Sequence, residues 1–246
     1  MYKHFIAIAS LYTKGFRIAW HYSEDNFETA TVQKFLSQLK KKHGDIKLGV
    51  HKIVTDSPEW ESVVESDSYF AGIIVTHNKE EFIDLITAEQ KLGAIDIAKY
   101  ILTVSPMSPL KLQKLLYLSY EKFLIKTGEQ LFKDPIYAWK HGPVVETVYD
   151  FFREYGSQQI PYEEDDSIII NSSDLSVSPS FMRVLTSEHG ATTINVIHDV
   201  LMKYCDLTAW QLVDLTHEEG KPWFQVYKPG SNKVITDEVI LAYAQD

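Results

Sequence analysis

The fold of this chain is decided by the stretch SPLKLQKLLYLSYEKFLIKTG, residues 108–128. Ser108 is a preferred residue for a helix N-cap, and Pro109 is favoured at the first helical position. Gly128 stands where a glycine commonly follows the last turn of a helix. Between these signals the apolar residues recur at helical spacing, in a stripe made of Leu112, Leu115, Leu116, Tyr120 and Phe123. The pattern predicts a helix that begins at Pro109, ends before Gly128 and buries this stripe.

Downstream lies YAWKHGPVVETVYDFF, residues 137–152, where side chains suited to several kinds of chemistry stand together. His141 is a candidate general base, and Lys140 is a candidate cation for holding an anion. Gly142 permits a tight bend, and we expect Pro143 to begin a helix whose free N–H groups face an acidic group. We expect the neighbouring tryptophan to pack inward. Catalysis, binding of a partner or anion, and simple packing all remain open interpretations of this corner.

The segment LTHEEGKPWF, residues 215–224, is the second candidate. His217 and the two glutamates after it are a poor metal site, because adjacent residues at a helix end point in different directions. The pattern instead predicts the end of a helix, with Gly220 just beyond it, Pro222 preventing extension and Trp223 packing back. We therefore predict no metal and no cofactor.

Composition narrows the classes of function. The 246 residues carry a net charge of −10, which disfavours a general nucleic-acid binder, because phosphate contacts need clustered lysine and arginine. The single cysteine, Cys205, excludes an internal disulfide, and we expect it in the core. No membrane-length apolar run, signal peptide or common catalytic motif is present, so we expect a cytoplasmic protein.

The pattern divides the chain into two regions and predicts the α+β class. Residues 1–88 alternate short runs of β-forming residues with helical ones, which predicts a small mixed α/β domain with a ββαβ(α)β order. Residues 89–246 are mainly helical, with a polar stretch from 162 to 167 that we interpret as part of an exposed insertion. The charges also differ, since the first 88 residues hold 12 acids and 10 bases and the rest hold 22 and 14.

Several segments together resemble a known family, the Panacea domain, also described as SocA-like or GepA-like. The similarity rests on SPLKLQKLLYLSYEKFLIKTGEQLF followed by DPIYAWKHGPVVETVYDFF, and on the closing LTHEEGKPW and ITDEVILAY. It spans about residues 92–244 and does not cover the first region. The positions that carry the family's structural motif are Leu112, Leu115, Leu116, Tyr117, Thr216, His217, Pro222 and Trp223.

The resemblance implies a largely helical antitoxin module, common on phages and mobile elements, that neutralises a toxin by direct protein contact. It implies no enzymatic activity, because the family offers no catalytic residues to carry over. On this interpretation the partner-binding positions are Trp139, Lys140, His141, Gly142 and Pro143. Residues 1–88 would be an accessory or partner-selecting domain.

Two alternatives to a simple antitoxin stay open. In one branch of the family the domain is a proteolytic adaptor that delivers its toxin to a ClpXP-type protease. In the other alternative the protein is a hydrolase-type enzyme using His141 or His217, which requires one of these rings to meet a carboxylate in a pocket.

Overall fold

The computed structural model describes residues 1–11, 14–26, 28–43, 48–161 and 178–244. The chain forms two compact units, Met1–Lys91 and Leu92–Asp246. The first is built on a β-sheet with helices and the second is mainly helical, so the predicted α+β class is confirmed. The polar stretch at residues 162–167 lies outside the described residues. Within the described ranges, no helix has both the length and the apolar character needed to cross a membrane.

The N-terminal unit contains a four-stranded sheet with the strand order β3-β1-β2-β4. Its strands are β1 Tyr2–Leu11, β2 Phe16–Glu24, β3 Gly49–Thr55 and β4 Ile74–Thr76. β1 pairs antiparallel with both β2 and β3, whereas β4 joins β2 in parallel. β1 is therefore a central strand, with a hydrogen-bonded neighbour on each side.

Alternation along β1 sends side chains into two separate cores. Phe5 and Ala7 pack with the helices α1 (Thr29–His43) and α3 (Lys79–Gln90) on one face of the sheet. Ile6 and Ile8 face the other side, where Val63 of the helix α2 (Trp60–Ser66) is buried with them. This period of two is the expected pattern for a strand that is covered on both faces.

A buried histidine pair lies at the α2 side of this sheet. His4 Nδ1 is 2.8 Å from His21 Nε2, and His4 Nε2 is 2.8 Å from Thr55 Oγ1. Burial, together with the neighbouring rings of His4 and His77, lowers the pKa of His21 to about 4. Both His4 and His21 are therefore held as neutral imidazoles near neutral pH.

The C-terminal unit is arranged around the helix α5, Pro109–Thr127. The remaining elements of this unit are α4 Ala94–Val104, β5 Ile136–Trp139, β6 Gly142–Val145, α6 Glu146–Phe152, α7 Pro179–Leu185, α8 Gly190–Tyr204, α9 Ala209–His217, α10 Pro222–Val226 and α11 Asp237–Tyr243. Contacts to α5 come from α4, α6, α8, α9, α11 and β6. The helix is thus a central element, enclosed by its neighbours on several sides.

The predicted limits of α5 are confirmed. The Ser108 side chain accepts a hydrogen bond from the backbone N–H of Lys111, and Gly128 ends the helix with a φ of 73°. The whole predicted stripe is buried. Burial extends further than predicted, because polar side chains of the same helix are enclosed as well; they are Gln113, Lys114, Ser119 and Glu121.

Two local predictions were wrong. Residues Gly142–Val145 form a strand, paired antiparallel with β5, so the next helix begins at Glu146 and not at Pro143. The buried Gln113 side chain holds Val145 in this extended form, since it donates to the Val145 oxygen at 3.1 Å and accepts from its N–H at 2.8 Å. The helix α9 ends at His217, before Gly220 and Pro222, and Pro222 stands in the first turn of a further helix, α10. Cys205, predicted to lie in the core, is only half-buried.

Candidate functional site

The β5–β6 hairpin (residues 136–145) brings the first predicted group of residues to one corner. Trp139 pairs with Gly142 at its closed end, so Lys140 and His141 form the exposed tip. Gly142 has a φ of 100°, in the region that favours glycine. A Cβ atom at position 142 would lie 2.7 Å from the Lys114 Nζ atom and 2.9 Å from Thr216 Oγ1. Backbone conformation and lack of space therefore both require glycine here.

Lys114 lies directly beneath this tip. Its side chain is 0% exposed, and its Nζ atom donates a hydrogen bond to the Pro143 oxygen at 2.6 Å. Within the described ranges, no carboxylate forms an ion pair with this amine. Burial lowers the pKa of Lys114 to about 7, because the charged form loses its hydration. The amine is thus buried at the base of the hairpin and loses its proton more easily than an ordinary lysine does.

His217, from the second predicted group, packs beside the same corner. Its ring stacks on Trp223 with the centroids 3.5 Å apart, and Trp223 stacks on Tyr227 at 4.4 Å. The Trp223 indole N–H donates to the Trp139 oxygen at 2.9 Å, which ties the stack to β5. Residues 137–145 and 215–227, far apart in sequence, therefore form one site.

The electrostatics of this site are those of neighbouring cations. Burial lowers the pKa of His217, and the charges of Lys114 and His141 lower it too, while Asp214 opposes them. The buried Nε2 atom of His217 has no hydrogen-bond partner among the described residues. An imidazole in this setting is held neutral near pH 7.

The outer surface of the corner is aromatic, and one of its residues was missed from the sequence. Trp210, in the first turn of α9, is 59% exposed, and its ring lies edge-on to His141 at 5.4 Å. On the other side Trp139 packs edge-on against Tyr149 at 5.1 Å. The sequence could have indicated this exposure, because Trp210 does not lie on the buried face of α9, which contains Leu212 and Thr216.

A groove opens along the other edge of β5. There the Ala138 N–H donates to the Lys233 oxygen at 2.8 Å, and the Ile235 N–H donates to the Ile136 oxygen at 2.7 Å. These bonds join two backbone segments of the chain, residues 136–138 and 233–235. The groove between them is lined by Ala138, Trp139, Lys140, Tyr227, Gly230, Ser231 and Asn232.

The remaining structural-motif residues support this site from below. Thr216 donates to the Val213 oxygen at 3.0 Å, and its side chain lies against Gly142. The buried members of the motif are Leu112, Leu115, Leu116, Tyr117, Thr216, Pro222 and Trp223. They fix the positions of the hairpin and of α9, so their role in the structure is packing.

The described residues form no catalytic dyad or metal cluster at this corner. In the part of the chain that the structure describes, no hydrogen bond joins His141 or His217 to a carboxylate, and no hydroxyl nucleophile is bonded to either ring. The same residues include no group of three or more His, Cys, Asp or Glu side chains placed to hold a metal ion. What the corner does present is an exposed aromatic and basic surface on a rigid base.

Comparison with known proteins places this chain in a known class. The family model for "Antitoxin SocA-like, Panacea domain" matches residues 112–224, a range that includes Lys114, the hairpin and Trp223. The chain belongs to this family of SocA-like antitoxins, which confirms the resemblance seen in the sequence. A relative is Antitoxin SocA of Caulobacter vibrioides (strain NA1000 / CB15N), 34% identical over 143 residues that make up 58% of this chain and 68% of the relative. No solved structure matches the chain.

Proposed function

We propose that this protein is a non-enzymatic antitoxin that neutralises a toxin protein by binding it directly, through the exposed side of the β5–β6 hairpin. Family membership supports the antitoxin role. The observation that carries the location is Trp210, a largely exposed tryptophan set against His141 beside the exposed Lys140. Tryptophan is among the residue types most enriched at the energetic centres of protein interfaces.

The five predicted partner-binding residues divide into two roles on this proposal. Lys140 and His141 are exposed and contact the toxin, together with Trp210. Gly142 and Pro143 are buried and hold the tip in place. Because the tip is fixed from below, little conformational entropy is lost when a partner binds.

The half-buried Trp139 belongs to the supporting group. Its carbonyl oxygen accepts the indole N–H of Trp223, and its ring packs against Tyr149. A change at Trp139 would therefore disturb the fold as well as the surface, and it is a poor probe of binding. Changes at the exposed tip are the better probes.

The test uses a toxin captured from the native host and expressed together with this protein. Wild type should restore growth, whereas Lys140→Glu/His141→Ala and Trp210→Ala should fail. Loss of an interface tryptophan of this kind costs roughly 2–4 kcal/mol, or about 30- to 1000-fold in affinity. The matched control is Lys126→Glu, at an exposed position on α5.

The outcome is decided by comparing binding with folding. Circular dichroism and thermal unfolding should show the tip variants folded as wild type, because these side chains are exposed. Full growth rescue and unchanged toxin affinity in both tip variants would contradict the proposal. Equal loss in the Lys126→Glu control would show a general effect of charge.

The adaptor alternative, in which a ClpXP-type protease degrades the delivered toxin, has no support in the comparisons and stays a prediction. This alternative is distinguished from simple binding by the half-life of the toxin, which would shorten when this protein is present. The hydrolase alternative lacks a carboxylate partner for His141 or His217 in the described residues. The accessory role of the N-terminal domain also stays a prediction.

A further inference from the structure

The two segments that meet beside the hairpin carry only positive charges. Residues 135–145 and 220–236 contain four lysines, Lys140, Lys221, Lys228 and Lys233, and no aspartate or glutamate. The whole chain holds 34 acids against 24 lysines and arginines. These two segments are therefore locally basic within an acidic protein.

The structure gathers these segments around the groove described above, which we call the lysine–aromatic groove and define by Trp139, Lys140, Tyr227, Ser231 and Asn232. Lys228 and Lys233 are exposed at the two ends of the turn that forms one wall. This turn is closed by a hydrogen bond from the Ser231 N–H to the Lys228 oxygen at 3.0 Å. The groove therefore has an aromatic lining and a basic, hydrogen-bonding rim.

Both aromatic walls are held in place before any ligand arrives. Tyr227 is stacked on Trp223, and Trp223 is bonded to the Trp139 oxygen. The Trp139 indole N–H is buried and finds no acceptor among the described residues.

Four acids directly flank these segments, Asp134, Glu146, Glu219 and Asp237, and two of them already have partners of their own. Asp134 accepts hydrogen bonds from the Ala94 N–H and from the Thr147 hydroxyl. Asp237 accepts hydrogen bonds from Tyr120 and Gln130. Asp134 and Asp237 are thus engaged by other groups, and in the part of the chain that the structure describes no ion pair is formed by Lys140, Lys228 or Lys233.

We infer that the lysine–aromatic groove binds an acidic segment of the partner protein, a run of aspartate or glutamate with an apolar residue among them. The inference rests on the proposed function and names the chemistry of the toxin surface that this site recognises. Carboxylates match the lysine rim, and the apolar residue matches Trp139 and Tyr227. Nucleic acid fits less well, because phosphate backbones require cations spread along a track, whereas here they surround one short groove.

The test is a fluorescence anisotropy titration of the full chain with a short, blocked, labelled peptide rich in glutamate, at low ionic strength. The matched probe has glutamine at every glutamate, and a labelled oligothymidine strand is the third probe. The groove variant is Lys140→Glu/Lys233→Glu. Its control, Lys34→Glu/Lys126→Glu, changes the net charge equally at exposed positions of α1 and α5.

We expect the glutamate peptide to bind at least about tenfold more tightly than the glutamine peptide, and the groove variant to lose at least about tenfold in affinity. The control should retain the affinity of wild type. Equal binding of both peptides, or equal loss in the control, would overturn the inference. Tighter binding of oligothymidine, lost in the groove variant, would overturn it in favour of a phosphate site.

This inference and the proposed function fail separately. Trp210 does not line the groove. The growth assay of Trp210→Ala therefore tests toxin binding at the hairpin tip and does not test the groove. If wild type ignores the glutamate peptide while Trp210→Ala loses rescue, the groove inference is wrong and the proposed function stands. Full rescue by the groove variant would likewise contradict an acidic toxin segment in the groove.

Discussion

Replacing Lys114 with methionine should remove a pH dependence from the stability of the C-terminal unit. The Lys114 amine is fully buried, and its pKa falls from the ordinary 10.5 to about 7. The unfolded chain therefore binds more protons than the folded one between these two pH values. Because stability rises with pH wherever the unfolded state binds more protons, the wild-type protein should gain stability above pH 7.

The magnitude follows from the same pKa difference. Each pKa unit corresponds to about 1.4 kcal/mol, so the buried charge destabilises the folded unit by roughly 5 kcal/mol well below pH 7. Methionine has a similar length and no charge, but it leaves the Pro143 oxygen without its donor at a cost of roughly 1–3 kcal/mol. The variant should therefore be more stable than wild type by about 2 kcal/mol at pH 7, and the gap should close towards pH 9.

Urea unfolding followed by circular dichroism at pH 7, 8 and 9 measures this gap. Titration of the other side chains is shared by both proteins and cancels in the difference. Lys126→Met, at an exposed position of the same helix, has the same net charge as the Lys114 variant and should follow the wild-type pH dependence. A Lys114→Met difference that does not change by about 2 kcal/mol over this range would refute the argument that the amine is desolvated.

Two further predictions concern other buried groups. The N-terminal unit should lose stability as the pH falls below 6.5, by about 3 kcal/mol near pH 4, because the pKa of His21 is lowered to about 4 and the unfolded chain takes up the proton first. In acid unfolding, His21→Asn should flatten this dependence of stability on pH. An unchanged dependence in the variant would contradict the prediction. Gly142→Ala should destabilise the C-terminal unit by roughly 2–4 kcal/mol, since strain at positive φ adds to the clash with Lys114. At Gly128 the φ is also positive, at 73°, but the space around it is open. Gly128→Ala should therefore show only the smaller cost of backbone strain in the same urea titration.

Local signals determined much of the helical part of this protein. Ser108 and Gly128 mark the ends of α5, and Thr208 forms a capping box with Gln211 at the start of α9. These features are readable in the sequence because the atoms that satisfy each helix end come from residues three or four positions away. Family membership was readable too, since it depends on ordered motifs and not on contacts.

Only the tertiary structure decided the nature of the corner. Pro143 follows a glycine and precedes a helix, and this sequence is equally suited to the start of a helix. Residues 142–145 form a strand because β5 pairs with their backbone and the Gln113 side chain bonds to Val145. Lys114 looks like an ordinary polar position beside an apolar stripe. Its burial depends on Thr216 and Gly142, which reach it from distant parts of the chain.

The lysine–aromatic groove shows the same division. Sequence alone supplied its chemistry, namely two acid-free segments with four lysines and several aromatic residues. It did not show that they meet, because residues 138 and 233 are joined only when the backbone bonds of the folded unit form. Helix ends are determined by neighbours in sequence, whereas a binding site built from distant segments exists only after packing has set their distance and the solvation of their charges.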